Sequence, residues 1–450
     1  MIPSEFEKRM KNLLGEEDYI KYENAVEKEA VRAFRINTNK ISEEKFLEIN
    51  PFGGEKIPFA DEAYYFSFDG IGNHPYHHAG MVYIQEPAAM SAVASIDIEP
   101  DWNILDLCAA PGGKTIQAAL KNPNGIIVSN EIIPSRCKIL AGNVERMGFK
   151  NVVTTCTDAK RISELFGEEF NLVIVDAPCS GEGMFRKDET AVKEWREENV
   201  LHCAKRQKEI LDYINSVVKS DGFLLYSTCT FSLEENEKII DSFLKNHAEF
   251  ELVKVKKSVE KVTADGINFD GCETQNINYC RRFYPHISKG EGQFVALLHK
   301  KYGNEIKMKR ESALKEIPKN EQKIVYDFLD EILINYDKKT VKKYKENIVI
   351  FDSDFNVPNG IAFSCGVTVG SVQKNYVKPH HQFFSAMGNN FKRKINLTVE
   401  QAKQYIRGNS FECDCENGWA VVIINGCAVG GVKVVNGVAK NHYPKGLRCL

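Results

Sequence analysis

The chain has 450 residues, more than one compact core usually holds, so its length predicts two to four domains. Its composition, 43% hydrophobic and 27% charged, is ordinary for a globular protein. There is no apolar run of membrane-spanning length and no secretory signal at the start. Thirteen cysteines, an odd number, then predict reduced thiols in a cytoplasmic protein. These features exclude an integral membrane protein and a disulfide-stapled secreted domain.

Charge is distributed unevenly along the chain. The net charge is only −3, which argues weakly against nucleic acid, yet residues 371–450 carry 11 Lys and Arg against 4 Asp and Glu. A basic lobe on a nearly neutral protein is a common way to bind phosphates. A merely solvated basic surface is the alternative. Cys413 and Cys415 lack a second ligand pair at zinc spacing, so no metal site is expected.

The first 80 residues are predicted to form a small α+β, RRM-like RNA-binding region. Residues 34–40 alternate in the manner of a short strand, and Ser42 is a suitable N-cap for the helix that follows. The stretch 50–76 is rich in glycine, proline and aromatic residues, which predicts a loop-rich junction. A second region is expected to begin near Met81.

Residues 81–301 alternate short apolar strands with helical patterns. This alternation predicts an α/β domain with a parallel, doubly wound, Rossmann-like sheet. Strands are predicted at 103–108, 125–131, 152–158, 172–178, 222–229 and 294–300. Because these strands are apolar throughout, we expect both faces of the sheet to be covered.

The remaining chain divides into two parts that differ in composition and in their pattern of apolar residues. Residues 302–376 are highly charged and contain one amphipathic helix at 323–336, which predicts a connector or small helical subdomain. Residues 377–450 are predicted to form a small, basic, β-rich module. Within it, 419–426 and 427–437 read as two strands paired through an Asn-Gly turn.

A glycine-containing turn follows the first predicted strand, in DLCAAPGGKT at 106–115. A strand that ends in such a turn and feeds a helix brings backbone amides close to a ligand. Gly112 and Gly113 would allow close approach, although a Gly-Gly turn alone is more often simple packing. The turn is not GxGxxG, so a dinucleotide is not specifically indicated.

Acidic residues close the next three predicted strands: Glu131, Asp158 and Asp176. The carboxyl ends of parallel strands meet at one edge of a sheet, and carboxylates left there without a polar ligand would be costly. S-adenosylmethionine fits this set. Its ribose suits Glu131, its adenine edge suits Asp158, and its sulfonium charge suits carboxylates.

Two cysteines lie at the same predicted edge, Cys179 after the fourth strand and Cys229 after the fifth. Each alone would be a packing residue. Together with Asp176 they indicate methylation of cytosine at carbon 5: a thiolate adds to carbon 6, carbon 5 then attacks a sulfonium methyl, and a second group removes the carbon 5 proton. The residues themselves leave open which thiol attacks.

Neighbouring side chains receive provisional roles. Asp176 is expected to bind the exocyclic amine or protonated N3, which selects cytosine over uracil. Lys114 and Arg186 could position the base or lower a thiol pKa, with phosphate contact or surface charge equally open. Ser232 and Glu235 have the spacing of a capping box, which predicts a helix start directly after Cys229.

Several of these segments resemble one known family, over roughly residues 34–300. The segments are HHAGMVYIQEPAAM, DLCAAPGGKT, the NE pair at 130–131, DAPCSGEGMFR, YSTCTFSLEENE and CRRFYPHISKGEGQFVALL. They resemble the Nol/Nop/Sun family of RNA 5-methylcytosine methyltransferases. The segments VTVGSVQKNYVKPHHQF and GVAKNHYPKGLR resemble its bacterial RsmF (YebU) branch, which carries a C-terminal PUA-like domain.

The resemblance implies a class I methyltransferase fold with a mostly parallel seven-stranded sheet, and it assigns roles to the two thiols. Cys229 attacks carbon 6 and Cys179 assists product release, with Asp176 and Lys114 completing the catalytic set. The implied cofactor positions are Cys108, Ala109, Ala110, Pro111, Gly112, Gly113, Lys114, Glu131, Asp158 and Asp176. The implied partner is 16S ribosomal RNA or the small ribosomal subunit, with no membrane and a monomeric protein.

Three rival hypotheses remain at this stage. A DNA cytosine methyltransferase would use Cys179 as the nucleophile. A transfer RNA cytosine-5 methyltransferase would share the chemistry but not the substrate. A non-catalytic RNA-binding assembly factor would retain the fold without methyl transfer.

Overall fold

The computed structural model describes residues 2–303, 306 and 308–449. The chain begins with a helical hairpin, α1 (Ser4–Leu14) and α2 (Glu16–Val26), joined by a single glycine. The hairpin buries its aromatic side chains against residues of the central region, among them Trp195 and Phe231, so it packs as part of that region.

A four-stranded antiparallel sheet comes next, in the order β2-β3-β1-β4. Its elements are β1 (Arg32–Ile36), α3 (Glu43–Ile49), β2 (Glu55–Lys56), β3 (Ala63–Phe66), α4 (Pro75–His78) and β4 (Val82–Ile84). This βαββαβ connectivity is that of a ferredoxin-like fold. The predicted cap is confirmed, because the Ser42 side chain accepts a hydrogen bond from the Lys45 amide. The last strand lies past residue 80, so the sheet runs beyond the expected end of this region.

The central region alternates helices and strands as predicted. Its helices are α5 (Pro87–Ala94), α6 (Gly113–Lys121), α7 (Pro134–Met147), α8 (Ala159–Leu165), α9 (Glu189–Glu194), α10 (Glu197–Ile214), α11 (Glu237–Asn246) and α12 (Lys257–Glu260). Its strands are β5 (Ile104–Asp106), β6 (Ile127–Asn130), β7 (Val152–Thr155), β8 (Phe170–Asp176), β9 (Val218–Thr228), β10 (Phe250–Val253), β11 (Ala264–Asp265), β12 (Arg281–Phe283) and β13 (Gln293–Lys300). All six predicted strands are present.

The central sheet is Rossmann-like and larger than the seven strands expected. Strands β9-β8-β5-β6-β7 are parallel neighbours, and β13 then adds antiparallel to β9. Strand β10 pairs with β13 and completes a seven-stranded core, while β12 and β11 extend the sheet past β13. Two hydrophobic clusters cover the two faces, which agrees with the uniformly apolar strands.

The segment expected to be a connector or helical subdomain contains a second small sheet. Its elements are α13 (Lys319–Ile332), β14 (Val341–Tyr344), β15 (Asn347–Ile350), β16 (Ala362–Cys365), β17 (Val367–Val372) and β18 (Val377–Pro379). Strands β14-β15-β17-β18 form an antiparallel sheet, and β16 instead joins the central sheet beside β7 as its tenth strand. The predicted amphipathic helix is confirmed, but the segment also contributes a strand to the central sheet and does not merely link domains.

The C-terminal module is β-rich, as predicted. It consists of α14 (His381–Met387), β19 (Lys394–Asn396), α15 (Val399–Ile406), β20 (Phe411–Glu412), β21 (Gly418–Ile424), β22 (Cys427–Val435) and β23 (Val438–Asn441). The hairpin β21–β22 turns at Asn425 and Gly426, both with positive φ, which confirms the predicted Asn-Gly turn. In the described part of the chain, no helix combines the length and apolarity needed to cross a membrane.

Candidate active site

A cavity of about 650 Å³ opens at the carboxyl ends of the parallel strands. Its wall includes the acids and cysteines expected at this edge: Glu131, Asp158, Asp176, Cys179 and Cys229. The rest of the wall is mixed. It has apolar side chains, among them Leu107, Ile132, Ile133, Ala159 and Ile210, and charged ones, namely Arg136, Lys160, Arg206 and Glu209. A pocket of this size with apolar walls and convergent polar groups is the usual form of a small-molecule site.

The glycine-containing turn contributes less to the cavity than expected. Cys108 and Ala110 line it, whereas Ala109, Pro111, Gly112, Gly113 and Lys114 do not. Gly112 has φ of 119°, and a Cβ there would lie 3.2 Å from the Leu140 side chain. The glycine is therefore required by the backbone and by packing at the start of α6, while the ligand-facing surface comes from the residues before it.

Glu131 and Asp158 are fixed by different local contacts. Glu131 is buried; one oxygen accepts a hydrogen bond from the Ile133 amide at 3.0 Å, and the other lies 3.3 Å from the Arg136 guanidinium. Asp158 caps α8 by accepting from the Arg161 amide at 2.7 Å. Each carboxylate is thus held in one orientation at the cavity wall.

Asp176 forms an ion pair with Lys114, at 2.8 Å. The other Asp176 oxygen accepts hydrogen bonds from Ser227 at 2.7 Å and Gln293 at 3.3 Å. Because Lys114 is only 7% exposed, its charge faces Asp176 and not solvent. The lysine therefore orients the carboxylate; the alternative of a surface phosphate contact does not fit its burial.

Cys179 and Cys229 lie with their sulfur atoms 3.2 Å apart, and both thiols are free. The hydrogen bond to Cys229 and burial raise the pKa of Cys179 well above its usual range. Cys179 consequently keeps its proton at neutral pH and can donate it towards the Cys229 sulfur. The structure thus gives the two thiols different environments, which the sequence could not do.

Two side chains interpreted from sequence occupy other positions. Arg186 is buried in an ion pair with Glu291 at 2.8 Å and also binds backbone carbonyls, so it is structural. The capping-box prediction is wrong: the helix begins at Glu237, and the buried Glu235 carboxyl group instead contacts Ser180 and Gln207. One of its oxygens accepts hydrogen bonds from the Ser180 amide and from Gln207, and the other lies 2.5 Å from the Ser180 hydroxyl. These contacts, and not its own helix start, fix the carboxyl group.

Other polar residues at the site were not singled out from the sequence. They are Asp106, Ser180, Glu182, Gln207, Ser227, Thr230 and Gln293. Asp106 ends β5 as Asp176 ends β8, so the strand-end signal was available for it. It accepts from the Thr115 hydroxyl at 2.6 Å, and burial raises its pKa to about 7. The others are ordinary polar residues whose importance depends on tertiary contacts.

A Rossmann-like mixed sheet with a ligand cavity at its strand ends has the architecture of a methyltransferase. Family models match this chain in three places. Residues 93–299 match the 16S rRNA methyltransferase RsmB/F model, and residues 2–87 match the N-terminal domain of 16S rRNA methyltransferase RsmF. Residues 392–449 match the methyltransferase RsmF PUA domain.

Known proteins similar to the chain agree with these matches. It is 30% identical to the ribosomal RNA small subunit methyltransferase F of Vibrio campbellii, over 99% of this chain and 97% of the relative. It is 32% identical to that of Shewanella oneidensis, over 92% and 90%. The chain belongs to the RsmF-type branch of the Nol/Nop/Sun methyltransferases.

Solved structures support the fold of the catalytic part. A methyltransferase homologue from Pyrococcus horikoshii is 30% identical with a TM-score of 0.55, covering 64% of this chain and 92% of that one. The structure of NSun6 from Pyrococcus horikoshii, solved with SFG, has a TM-score of 0.57 at 20% identity. It covers 67% of this chain and 99% of that chain, and at this identity it supports the fold alone.

Proposed function

We propose that the protein transfers a methyl group from S-adenosylmethionine to carbon 5 of a cytosine in 16S ribosomal RNA, with Cys229 as the covalent nucleophile. The observation that carries the proposal is the pair of thiols 3.2 Å apart beside Asp176 in the cavity wall. Two convergent thiols and a carboxylate are what carbon 5 methylation of cytosine requires.

The cavity suits the proposed methyl donor. Its volume accommodates a nucleoside with an amino acid chain. Glu131 can accept hydrogen bonds from ribose hydroxyls, Asp158 can accept from the adenine amine, and Ile132 and Ile133 offer an apolar surface for the adenine ring. When bound, the donor supplies an electrophilic methyl group on a sulfonium.

The chemistry begins with addition of the Cys229 thiolate to carbon 6 of the base. A bond forms between carbon 6 and the Cys229 sulfur, and the carbon 5–carbon 6 π pair shifts to carbon 5. Carbon 5 would then take the methyl group, while the electron pair of the broken methyl–sulfur bond stays with the donor, which leaves as a neutral thioether. Removal of the carbon 5 proton returns the electron pair, and the bond to Cys229 breaks. The base is restored with one added methyl group, and the net proton goes to the group that accepted it.

Cys179 is suited to accept that proton at the right time. Its high pKa is caused first by its hydrogen bond to Cys229. Once the Cys229 sulfur is a thioether, this contact no longer favours the protonated form of Cys179. The second thiol then loses its proton to solvent more readily, and the resulting thiolate can accept the carbon 5 proton. Release leaves Cys179 protonated and Cys229 as the thiolate.

Asp176 supplies the base selectivity. Oriented by its ion pair with Lys114, it accepts a hydrogen bond from the exocyclic amine of cytosine. Uracil presents a carbonyl at the same position and would leave two acceptors facing each other, which costs much more than the loss of a methyl contact.

The RNA substrate is supported by the family of the chain and by its basic C-terminal module. A cytosine must leave its stack to reach the cavity, so loosely paired or single-stranded RNA should be preferred. Lysine and arginine contacts to phosphates predict that RNA binding weakens as salt rises. The cytosolic location expected from the free thiols is consistent with this partner.

The test is a set of cysteine variants incubated with RNA and S-adenosylmethionine. Cys229→Ala should abolish both methylation and the covalent RNA adduct, whereas Cys179→Ala should accumulate the adduct. Cys203→Ala, which removes a half-buried thiol outside the cavity wall, is the matched control. Loss of the adduct in Cys179→Ala with retention in Cys229→Ala would reverse the roles, as in the DNA enzymes.

The substrate is tested separately. Bisulfite mapping of ribosomal RNA from cells lacking the gene should show loss of 5-methylcytosine in 16S RNA. Loss confined to transfer RNA would favour the alternative substrate. Absence of S-adenosylmethionine binding by calorimetry would favour a non-catalytic assembly factor.

A further inference from the structure

Two buried glutamates connect the loops that carry the two cysteines. Glu182 follows Cys179 by three residues, and Glu235 follows Cys229 by six; both are at most 2% exposed. Glu182 binds the loop that follows Cys229, and Glu235 binds the loop that follows Cys179. The arrangement is reciprocal, and neither residue touches the cavity that holds the proposed reactants.

Glu235 holds the Cys179 loop at the residue directly after the cysteine. One oxygen of Glu235 accepts from the Ser180 amide at 3.0 Å and from Gln207 at 2.9 Å. Its other oxygen lies 2.5 Å from the Ser180 hydroxyl. Displacement of Glu235 would therefore release the backbone adjacent to Cys179.

Glu182 holds the Cys229 loop in the opposite direction. One of its oxygens accepts from the Thr230 hydroxyl at 2.8 Å and the Phe231 amide at 3.0 Å, and the other accepts from the Trp195 indole at 3.0 Å. The Gly183 amide also donates to the Cys229 carbonyl at 2.8 Å. These reciprocal hydrogen bonds of Glu182 and Glu235 form a brace that joins the two loops beside the two sulfur atoms.

The brace contains a continuous chain of four oxygen atoms. Glu235 Oε1 lies 2.5 Å from Ser180 Oγ, Ser180 Oγ lies 2.9 Å from Thr230 Oγ1, and Thr230 Oγ1 lies 2.8 Å from Glu182 Oε2. Three hydrogen bonds need three protons, but the two hydroxyls supply only two. The third must come from one of the carboxyl groups.

Glu235 is the better place for that proton. Burial raises the pKa of Glu182, but its two oxygens accept hydrogen bonds from an indole, an amide and a hydroxyl, and these lower the pKa and favour the ionised form. Glu235 has both amide donors on one oxygen, so its other oxygen can carry a proton and donate it to Ser180. Burial raises the pKa of Glu235 to about 7, which agrees with this assignment.

We propose that Glu182 and Glu235 are positioning residues of this site, which hold the two cysteine loops together through a hydrogen-bonded chain that retains one proton on Glu235. The positioning role rests on the proposed function, whereas the brace and its proton can be measured without methyl transfer. Neither glutamate is assigned contact with substrate or cofactor.

The phenols, thiols and guanidinium group that surround this chain of hydrogen bonds do not titrate near neutral pH. Burial or hydrogen bonding raises the pKa values of the surrounding phenols and of the nearby thiols, and Arg9 stays charged. These phenols and thiols are those of Tyr22, Tyr226, Tyr284, Cys179 and Cys203. A carboxyl proton lost between pH 6 and about 8 is therefore assigned to the brace itself.

The first test is infrared spectroscopy of the proton. The wild type at pH 6 should show the carbonyl band of a protonated carboxylic acid that Glu235→Gln lacks, and the band should disappear as pH rises through about 7. Other buried acids with raised pKa, such as Asp106, are present in both proteins and cancel in the difference. A difference band lost instead from Glu182→Gln, or none in either, would overturn the assignment.

The second test measures how closely the brace holds the sulfur atoms. Diamide takes up two electrons and two protons as two thiols become one disulfide, and the Cys179–Cys229 peptide pair is quantified by mass spectrometry. Glutamine mimics a protonated Glu235, with an amide donor towards Ser180, so Glu235→Gln should cross-link within about twofold of wild type at pH 6. Glu182→Gln places an amide donor against other donors and should slow cross-linking by about tenfold or more.

Controls separate the brace from general stability. Glu168→Gln alters a buried carboxylate paired with Lys300 at the opposite edge of the sheet and should leave the cross-linking rate unchanged. If Glu182→Gln does not fold, Thr230→Val removes the central hydroxyl and should slow cross-linking, while Thr230→Ser restores it. Equal effects of the two glutamine variants, or none from Thr230→Val, would refute the one-proton brace.

The proposed function and the proposed brace can be refuted independently of each other. Wild-type protein that shows the carboxylic acid band and rapid cross-linking but never methylates RNA would contradict the proposed function and leave the brace intact. Methylating protein in which Glu182→Gln cross-links and turns over normally would contradict the brace alone. In an active enzyme, Glu182→Gln should lower kcat with little change in KM for RNA.

Discussion

The buried ion pair between Arg282 and Glu237 offers the clearest test of how the Cys229 loop is supported. The two side chains are 2% and 0% exposed, and the guanidinium binds both carboxylate oxygens. Arg282 also donates to the carbonyl of Phe231 at 2.8 Å, two residues after the nucleophile. The perturbation is Arg282→Met, which keeps the bulk of the side chain and removes its charge and donors.

This substitution leaves the Glu237 carboxylate buried without its cation. Breaking such a pair from one side costs about 3–5 kcal/mol in the free energy of unfolding. For a region of about 200 residues, roughly 2–4 °C per kcal/mol then predicts a fall in Tm of roughly 6–20 °C. Replacing both partners, in Arg282→Met with Glu237→Leu, should recover most of the loss, because no uncompensated charge remains.

Differential scanning calorimetry of the wild type, both single variants and the double variant gives the coupling directly. A double variant that is no more stable than Arg282→Met would refute the reasoning, because the cost would then come from lost packing and not from the stranded charge. The rate of RNA methylation provides a second test. The double variant should remain slow even when stable, since the Phe231 carbonyl still lacks its donor.

Two further changes test the site and its surroundings. Gly183→Ala places a methyl group 2.9 Å from the Cys229 carbonyl oxygen and should lower kcat by about tenfold or more. The control is Gly142→Ala on the open face of α7, which should leave kcat unchanged. Equal kcat values for the two variants would contradict the close packing of the two cysteine loops. Burial raises the pKa of Glu145 to about 7, so its stabilising protonated form is lost as pH rises from about 4.5 through 7. Glu145→Gln should therefore raise the free energy of unfolding by up to about 3 kcal/mol at pH 8 and by nearly nothing at pH 4. Urea titrations at both pH values measure this difference. An equal gain in stability at pH 4 and pH 8 would contradict the raised pKa as its cause.

The carboxyl-end cavity could be predicted because it follows from topology. In a parallel sheet the strand ends meet at one edge, so Glu131, Asp158 and Asp176 had to converge once the strands were identified. The positions of Cys179 and Cys229 follow in the same way. Their separation of 3.2 Å does not, because it depends on two loops whose conformations are set by contacts from distant parts of the chain.

Local patterns misled where tertiary contacts were stronger. Glu235 has capping-box spacing, but hydrogen bonds with Ser180 and Gln207 hold its carboxyl group away from the helix start. Arg186 lies in a cysteine motif, yet its partner Glu291 is more than a hundred residues away. The sheet at 341–379 was missed because its strands are short and two of them, β14 and β18, contain lysine. The burial of its apolar residues also depends on packing against α13 and the C-terminal module.

The N-terminal hairpin contacts the loop that follows Cys229, so we expect it to affect the rate of the proposed methyl transfer. Arg9 donates to the Ser232 hydroxyl at 2.9 Å and to Glu234 at 2.6 Å, both on the loop that follows Cys229. The Tyr22 ring packs edge-on against Phe231 in the same loop. The loop that carries the nucleophile is therefore held by side chains more than two hundred residues earlier in the chain.

Arg9→Gln should accordingly lower kcat for methylation while RNA affinity stays near that of the wild type. Lys8→Gln, which removes an exposed neighbouring charge from the same helix, is the matched control. If Arg9→Gln and Lys8→Gln weakened RNA binding equally and left kcat unchanged, the hairpin would act through phosphate contacts alone. A selective loss of kcat in Arg9→Gln would instead show that the first helix helps to build the active site, since an exposed lysine one residue away carries the same charge without the loop contacts.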